Sequence, residues 1–235
     1  MLDIANALVD AWQLVLSGNS TLLGIVSLSL GISLTAVFLA SCIGLPLGAA
    51  LAITRFPGRN AAVVAVNASM GLPPVVVGLV VYLALSRSGP LGSLGLLFTP
   101  AAMVIAQVVL VTPIVAAVTR QIVEDLWREE YAELYLFDGV GRIHTICSLL
   151  WLGRFSLMTA VLAGAGRAVA EVGAILIVGG NIAGVTRTMT TAIALETSRG
   201  DLALALGLGI ILLTLIFLIN GTAHFAGKAA RRAVA

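Results

Sequence analysis

The chain has 235 residues, of which 60% are hydrophobic and only 10% are charged. A soluble domain of this size carries about 25% charged residues, and the apolar residues here fall in runs close to the roughly 20 residues that span a bilayer. Such runs are too long for barrel strands, so the sequence predicts an all-α polytopic membrane protein. The net charge of +2 is too small to indicate a nucleic acid partner.

The first 17 residues predict a helix that does not span the membrane. Polar side chains recur at three- and four-residue steps from Asp3 to Ser17, and apolar side chains fill the other side. An amphipathic helix of this kind lies in a membrane interface or packs as a short helix on its own bundle. We expect no cleavable signal peptide, because residues 1–20 contain no Lys or Arg.

Five apolar runs then predict five membrane spans, at about residues 22–53, 61–86, 100–119, 155–179 and 202–225. Pro73 and Pro74 lie in the middle of the second run, where each removes a backbone donor. A break in a span is tolerated only where neighbouring groups or a water-lined path satisfy the freed carbonyls. The proline pair therefore predicts either a kink for packing or part of a transport path.

The distribution of basic residues predicts the orientation. Five spans place residues 54–60, residues 120–154 and the C-terminus on one side, which holds nine Lys and Arg residues. The other side holds three, Arg87, Arg187 and Arg199, and the N-terminal segment holds none. Because basic loops stay in the cytoplasm, we expect the N-terminus outside and the C-terminus inside.

Residues 120–154 form a charged interruption in this apolar chain, with six of its eleven acidic residues. We call this segment the coupling loop. Its pattern predicts a short helix, then glycines, then a second helix that leads into the fourth span. Read from the residues alone, it is equally the pattern of a solvated loop.

The coupling loop resembles the EAA loop of ABC importer permeases. In that family a Glu opens a short coupling helix, a Gly follows six residues later, and an arginine-containing run leads to the next span. Glu133 and Gly139 have this spacing, and Arg142 follows them. Three positions depart from the family pattern. Leu134 and Tyr135 stand where the family has Ala-Ala, and Leu152 stands where it usually has Pro.

Two further stretches strengthen the resemblance. Residues 70–79 (MGLPPVVVGL) are similar to the Pro-Pro segment of molybdate, tungstate and sulfate importer permeases. Residues 166–174 (GRAVAEVGA) are similar to their membrane signature, with Ala170 in place of the usual Gly. The resemblance covers most of residues 20–228, and residues 171–181 and 187–201 look most like the tungstate-specific permeases.

The resemblance implies a single permease domain over residues 1–235 with the type I ABC importer permease fold, placed in the inner (plasma) membrane. It implies transport of an oxyanion, with tungstate favoured, by a homodimer that works with a cytoplasmic ABC ATPase dimer and an extracytoplasmic oxyanion-binding protein. The chain has no G-x-x-x-x-G-K-[ST] motif, so we expect no enzymatic activity and no cofactor of its own. ATP and Mg²⁺ would bind to the ATPase. The residues implied in coupling to the ATPase are Glu130, Glu133, Asp138, Gly139, Gly141 and Arg142.

Arg167 and Glu171 are the ionisable pair of the predicted fourth span. They are four residues apart, so on one helix they would share a face. They form either a self-neutralising ion pair or a pair beside the translocation path, where Glu171 would pin a gate and Arg167 would offset its charge. Glu171 is no candidate ligand, because it would repel a dianion. Three further residues are expected to line the path: Pro73, Pro74 and Thr112.

The remaining polar positions give weaker expectations. His144 and His224 are isolated, so we expect neither to bind a metal. The loop after the fourth span is expected to be polar, with a weakly helical middle. Its polar residues meet a binding protein, contribute to an outer gate or are simply solvated: Asn181, Thr186, Arg187, Thr188, Thr190 and Thr191. Three tryptophans are expected to anchor the chain at the membrane interface: Trp12, Trp127 and Trp151.

Three alternatives stay open at this point. The anion is molybdate or sulfate rather than tungstate, within the same class of importer. In a different class, the chain is a secondary carrier driven by protons, with Glu171 as the proton site. A membrane scaffold without transport is the third, and the broken helices argue against it.

Overall fold

The structure is a computed structural model that describes Gln13, residues 20–127 and residues 141–234, with Asn220 and the residues beyond Thr222 described by their backbone alone. Within these ranges all regular secondary structure is helical, which confirms the all-α prediction. A 3₁₀ turn occupies Gly92–Leu94. The α-helices are α1 (Ser20–Ile53), α2 (Arg59–Ser69), α3 (Pro74–Leu85), α4 (Pro100–Leu126), α5 (Arg142–Leu152), α6 (Arg154–Val169), α7 (Gly173–Gly179), α8 (Met189–Arg199) and α9 (Leu202–Val234).

Local sequence accounts for several helix ends. Pro74 and Pro100 are the first residues of α3 and α4, a position where the missing N–H has no intrahelical partner in any case. Helices α7 and α8 end at Gly180 and Gly200, whose φ angles of 70° and 82° favour glycine. The N–H of Leu204 donates to Oδ1 of Asp201 at the start of α9.

Three of the described helices are long and apolar enough to cross a membrane: Ser20–Ile53, Pro100–Leu126 and Leu202–Ile219. Two broken pairs, α2 with α3 and α5 with α6, raise the number to five if each pair is one span. The prediction of about five spans agrees with this upper number. The predicted first span coincides with α1, and α4 continues seven residues beyond the predicted end of the third span.

Two predictions about the second half of the chain are wrong. The predicted fourth span, 155–179, is not one helix: α6 ends at Val169 and α7 begins at Gly173. The segment 179–201 is more than a polar loop with a weakly helical middle, because the 11-residue helix α8 lies within it and five side chains of this helix are buried. Its apolar residues Met189 and Ala192 pack with Leu22 and Leu208, so α8 belongs to the core rather than to solvent.

The chain divides into two compact units, each with its own core. The first contains the chain up to Thr35, Pro73–Gln107 and Val169–Asn220. Helices α3 and α7 pack closely in it, because Gly78 has no side chain: a Cβ there would lie 2.8 Å from Cα of Ala174. Such a distance is too short for two carbon atoms, so this helix contact requires glycine at position 78.

The second unit contains Ala36–Leu72, Val108–Ala168 and the chain from Gly221. Glycines again allow close packing, since a Cβ at Gly48 would lie 2.4 Å from the carbonyl oxygen of Ala116. One end of this unit carries charge. Arg59 donates to the carbonyl oxygen of Leu51 at 2.8 Å and lies 3.8 Å from Glu124, which also pairs with Arg120 on its own helix.

We predict that Gly78→Ala lowers the apparent melting temperature of the purified protein in detergent. The added methyl group meets backbone atoms of α7, and overpacking of this kind costs about 1–3 kcal/mol. Gly209→Ala in α9 is the matched control, because open space surrounds that position and alanine favours a helix by up to about 1 kcal/mol. Equal melting temperatures for the two variants would contradict the close contact of α3 with α7.

Candidate functional site

The proline pair separates α2 from α3, as the sequence predicted. Pro73 is extended, with ψ of 124°, and Pro74 starts α3. The carbonyl oxygen of Pro73 accepts hydrogen bonds from the amides of Val76 and Val77, at 3.0 and 3.2 Å. The break is therefore satisfied by the first turn of the following helix, as a non-helical segment in hydrocarbon requires.

Glu171 lies in a second break, at residues 170–172, and only 3% of its surface is exposed. Its Oε1 accepts a hydrogen bond from the backbone N–H of Ala174 at 3.0 Å. In an uninterrupted helix that N–H would bond to the carbonyl of residue 170. The carboxylate thus takes the place of a helix carbonyl at the start of α7, where the helix dipole also favours a negative charge.

This geometry corrects the expectation that Arg167 and Glu171 share one helix face. Arg167 lies in the last turn of α6, and Glu171 lies beyond the end of that helix. The four-residue spacing predicts a shared face only if both residues lie in one unbroken helix, which was the premise of the predicted fourth span. The premise fails because the carboxylate of Glu171 competes with the backbone for the amide of Ala174.

A group of buried threonines holds the second break from the other side. Thr190 donates to the backbone oxygen of Glu171 at 2.8 Å. Thr186 donates to the backbone oxygen of Gly179, at the end of α7. Thr188 and Thr191 form a capping box at the start of α8, in which Oγ1 of Thr191 accepts from the amide of Thr188 at 3.0 Å. These hydroxyls tie α7 and the segment before it to α8.

Of the three roles that the sequence left open for these threonines, simple solvation is therefore wrong. All four are buried, and each makes hydrogen bonds inside the first unit. The segment has two exposed stretches, an apolar one at residues 182–185 and a polar one at residues 197–201. Asn181, partly buried with φ of 52°, donates weakly to the backbone oxygen of Thr191 at 3.5 Å. The four buried threonines thus make hydrogen bonds inside the protein.

Arg187 lines a cavity of about 810 Å³ in the first unit, beside the N-terminal part of α1 and the start of α4. Its guanidinium Nη1 lies 3.9 Å from Oε1 of buried Glu196, and Nη1 of Arg199 lies 3.4 Å from the same oxygen. Glu196 on α8 is thus close to two guanidinium groups, that of Arg187 and that of Arg199. From the sequence, Arg187 was expected to meet a binding protein, to contribute to an outer gate or to be solvated.

Thr112 lies within α4 and is half-buried. Its hydroxyl donates to the backbone oxygen of Val108 in the preceding turn, at 2.7 Å. Pro113 follows it inside the same helix and leaves one more carbonyl without its usual donor. A place for Thr112 on a transport path stays a prediction.

Most of the predicted coupling residues lie outside the described residues: Glu130, Glu133, Asp138 and Gly139. Gly141 and Arg142 are described. Gly141 is extended and precedes α5, and Arg142 is the first residue of that helix, exposed to solvent. The predicted second helix of the coupling loop is thus confirmed as α5, Arg142–Leu152.

Two features of the site were not predicted from the sequence. Ser29 of α1 accepts a hydrogen bond from the amide of Met189 at 2.7 Å, across 160 residues of the chain. Arg59 and Glu124, from separate segments, meet at one end of the second unit. No periodicity in the sequence signals either pairing. Among the described residues, no group of three or more His, Cys, Asp or Glu side chains could hold a metal ion.

Apolar helices interrupted by satisfied breaks, with a charged loop between two of them, define a membrane permease. The chain belongs to the family of binding-protein-dependent transport system inner membrane components, whose sequence pattern matches residues 44–232. This result confirms the resemblance to ABC importer permeases.

Individual relatives show which permeases of this family the chain resembles. The chain is 37% identical to a tungstate uptake system permease protein of Peptoclostridium acidaminophilum, over 94% of this chain and 96% of that protein. It is 40% identical to a "Probable anion ABC transporter permease protein" of Haloferax volcanii, over 85% and 88% of the two chains. A sulfate transport system permease protein of Synechococcus elongatus is 30% identical, over 80% of this chain and 70% of that protein.

We predict that Thr190→Val destabilises the protein, because it leaves the buried backbone oxygen of Glu171 without this donor. An unsatisfied buried polar group costs about 1–3 kcal/mol, which thermal unfolding in detergent measures as a lower apparent melting temperature. Thr214→Val is the matched control, since Thr214 is exposed and donates only within its own helix. A loss no larger than that of the control would argue against a structural role for Thr190.

Proposed function

We propose that the chain is the membrane-spanning subunit of an ATP-driven importer of an oxyanion, and that the anion is tungstate. The observation that carries this proposal is the similarity to a tungstate uptake permease along nearly the whole of both chains. The more distant sulfate permeases support the oxyanion class in general. Molybdate and sulfate are the alternative anions within the same class.

The energy for transport comes from a separate subunit in this proposal, because the chain has no nucleotide-binding motif. The coupling loop docks on a cytoplasmic ABC ATPase dimer that binds ATP and Mg²⁺. Glu133 opens the coupling helix, and Gly139 allows the tight turn that follows it. Glu130, Asp138, Gly141 and Arg142 complete the contact.

The proposed orientation places the coupling loop and the C-terminus in the cytoplasm and the N-terminus outside the inner membrane. The loop charges support it. The ion pair of Arg59 with Glu124 adds support, because it joins two segments that this orientation places on the same side. The second unit contains every described segment assigned to the cytoplasm.

The transport path lies on the two-fold axis of a homodimer, because a permease of this size forms a closed pathway only with a second copy. An extracytoplasmic oxyanion-binding protein delivers the anion and supplies the affinity, since a permeation path must hold its ion weakly. Pro73, Pro74 and Thr112 line the path. Membrane lipid surrounds the dimer.

Glu171 acts in a gate rather than as a ligand, because a buried carboxylate repels an oxyanion. Its carboxylate and backbone oxygen hold the break before α7 closed from two sides. ATP binding moves the coupling loops together, and the broken helices are the elements that yield. Arg167, at the end of α6, offsets part of the charge.

We predict that Glu133→Ala combined with Gly139→Trp abolishes ATP-dependent tungstate uptake by the complete transporter in vesicles. The first change removes the coupling acid, and the second places an indole in the turn. Asp125→Ala is the matched control, because Asp125 is an exposed acid of the same loop outside the family pattern. Uptake that survives the double substitution would refute the coupling role.

We also predict that Glu171→Gln changes the ratio of tungstate imported to ATP hydrolysed. The amide keeps a hydrogen-bond acceptor for Ala174 but removes the charge, so the gate opens without its full coupling to the ATPase. Parallel measurement of uptake and phosphate release gives the ratio. An unchanged ratio would show that Glu171 has only a structural role.

Two further measurements separate the alternatives. Binding of tungstate, molybdate and sulfate to the partner binding protein, followed by uptake of each anion, identifies the substrate. Anion movement by the purified chain alone, driven by a pH gradient without ATPase, would identify a proton-coupled carrier instead.

A further inference from the structure

Helix α5, the second helix of the coupling loop, has an exposed apolar face. Ile143 is 80% exposed and Trp151 is 72% exposed, and Cys147 between them is exposed as well. Residues four and eight positions apart lie along one side of a helix, so the three side chains form a continuous strip. We call this strip the outer face of α5.

The opposite face of α5 is part of the core of the second unit. Thr145 and Leu149 are buried, and Leu149 packs with Ala49, Val123 and Leu157. Helix α5 is therefore anchored on one side, and its outer face points away from the protein. An apolar strip on a rigidly held helix requires an apolar environment.

The direction of α5 indicates which environment that is. Helices α5 and α6 meet at Gly153 with a bend of 82°. Helix α6 begins the predicted fourth span, and membrane-spanning helices are tilted by about 20° on average from the bilayer normal. A helix nearly perpendicular to such a span runs close to the membrane plane. It would therefore lie along the interface, and α6 rather than the pair of α5 with α6 would form the crossing segment.

The charges around α5 fit a phospholipid surface. Residues 141–155 contain Arg142, His144 and Arg154 and no acidic residue. The guanidinium of Arg154 lies between the rings of Trp151 and Phe155, 4.7 and 4.5 Å from their centroids, and donates to the backbone oxygen of Trp151 at 2.8 Å. This arrangement fixes a cation at the level of an exposed tryptophan, where lipid phosphates and acyl chains meet.

We propose that α5 is an interfacial helix that binds the cytoplasmic leaflet of the membrane. Its outer face enters the boundary between headgroups and acyl chains, and Arg154 contacts lipid phosphates. This contact keeps α5, the last helix of the coupling loop, at a constant depth in the membrane interface. Movement of the loop is therefore transmitted to α6. The inference rests on the membrane placement of the chain and not on the anion, so its failure would leave the proposed function untouched.

The two cysteines of the chain allow a direct test. In the Cys42→Ala variant, Cys147 on the outer face is the only thiol and takes a nitroxide label before reconstitution into vesicles of phosphatidylethanolamine and phosphatidylglycerol. Collision rates with oxygen and with a water-soluble nickel chelate then report the depth of the label. We expect a depth of about 5–10 Å below the headgroup surface, as for other interfacial helices.

Two reference positions calibrate the result. Cys42 in the Cys147→Ala variant is exposed on α1 and reports the hydrocarbon, and Ser88→Cys in an exposed loop of the Cys42→Ala, Cys147→Ala background reports water. A label at Cys147 as accessible to nickel as the one at position 88 would overturn the proposal. Loss of collisions with both reagents only after the partner ATPase is added would overturn it too, by identifying the outer face as a protein interface.

A second pair of variants tests the role of the tryptophan. Trp151→Glu should raise the nickel collision rate at Cys147 towards the water reference, because a charged side chain is excluded from the acyl boundary. Trp151→Phe, which keeps an apolar ring, should leave the rate unchanged. Equal rates in the two variants would contradict anchoring by Trp151.

Discussion

The structure depends on one constraint: a chain that breaks its helices within hydrocarbon must still satisfy its backbone polar groups. The first break is satisfied locally, because the carbonyl of Pro73 accepts from the first turn of α3. The second break is satisfied by side chains, since Glu171 accepts from the amide of Ala174 and Thr190 donates to Glu171. A buried carboxylate in a membrane protein thus has a structural reason to exist, beside any part it has in gating.

Close packing at glycine links these two breaks. Helix α3 follows the first break and α7 follows the second, and they approach each other where Gly78 meets Ala174. Within a membrane the hydrophobic effect does not drive helices together, because lipid tails are as apolar as the helix surfaces. Helices there commonly associate through tight contacts at small residues. A shift of either of these two helices therefore has to be accommodated by the other.

The cytoplasmic part of the proposed mechanism relies on a different principle. Arg59 and Arg120 both pair with Glu124 at one end of the second unit. Helix α5 is anchored by Leu149 in the core of that unit, and its outer face is exposed. The coupling loop thus begins at the ion pairs of Glu124 and ends in α5, which Leu149 anchors in the core. In the mechanism that we propose, movement of the ATPase is transmitted through these two ends of the loop.

The sequence by itself determined the helical class, the first span, the break at the proline pair and the membership of the family, because apolar length, proline and motif spacing are local properties. It did not determine the break at Glu171, since a four-residue spacing looks the same whether the helix continues or the carboxylate takes an amide from it. The sequence also did not show which threonines are buried and which are solvated. Thr186 donates to Gly179 at the end of α7, and Thr190 donates to Glu171 in the break before that helix. Only the tertiary structure decided these points, since a hydrogen bond between distant segments depends on which helices come together.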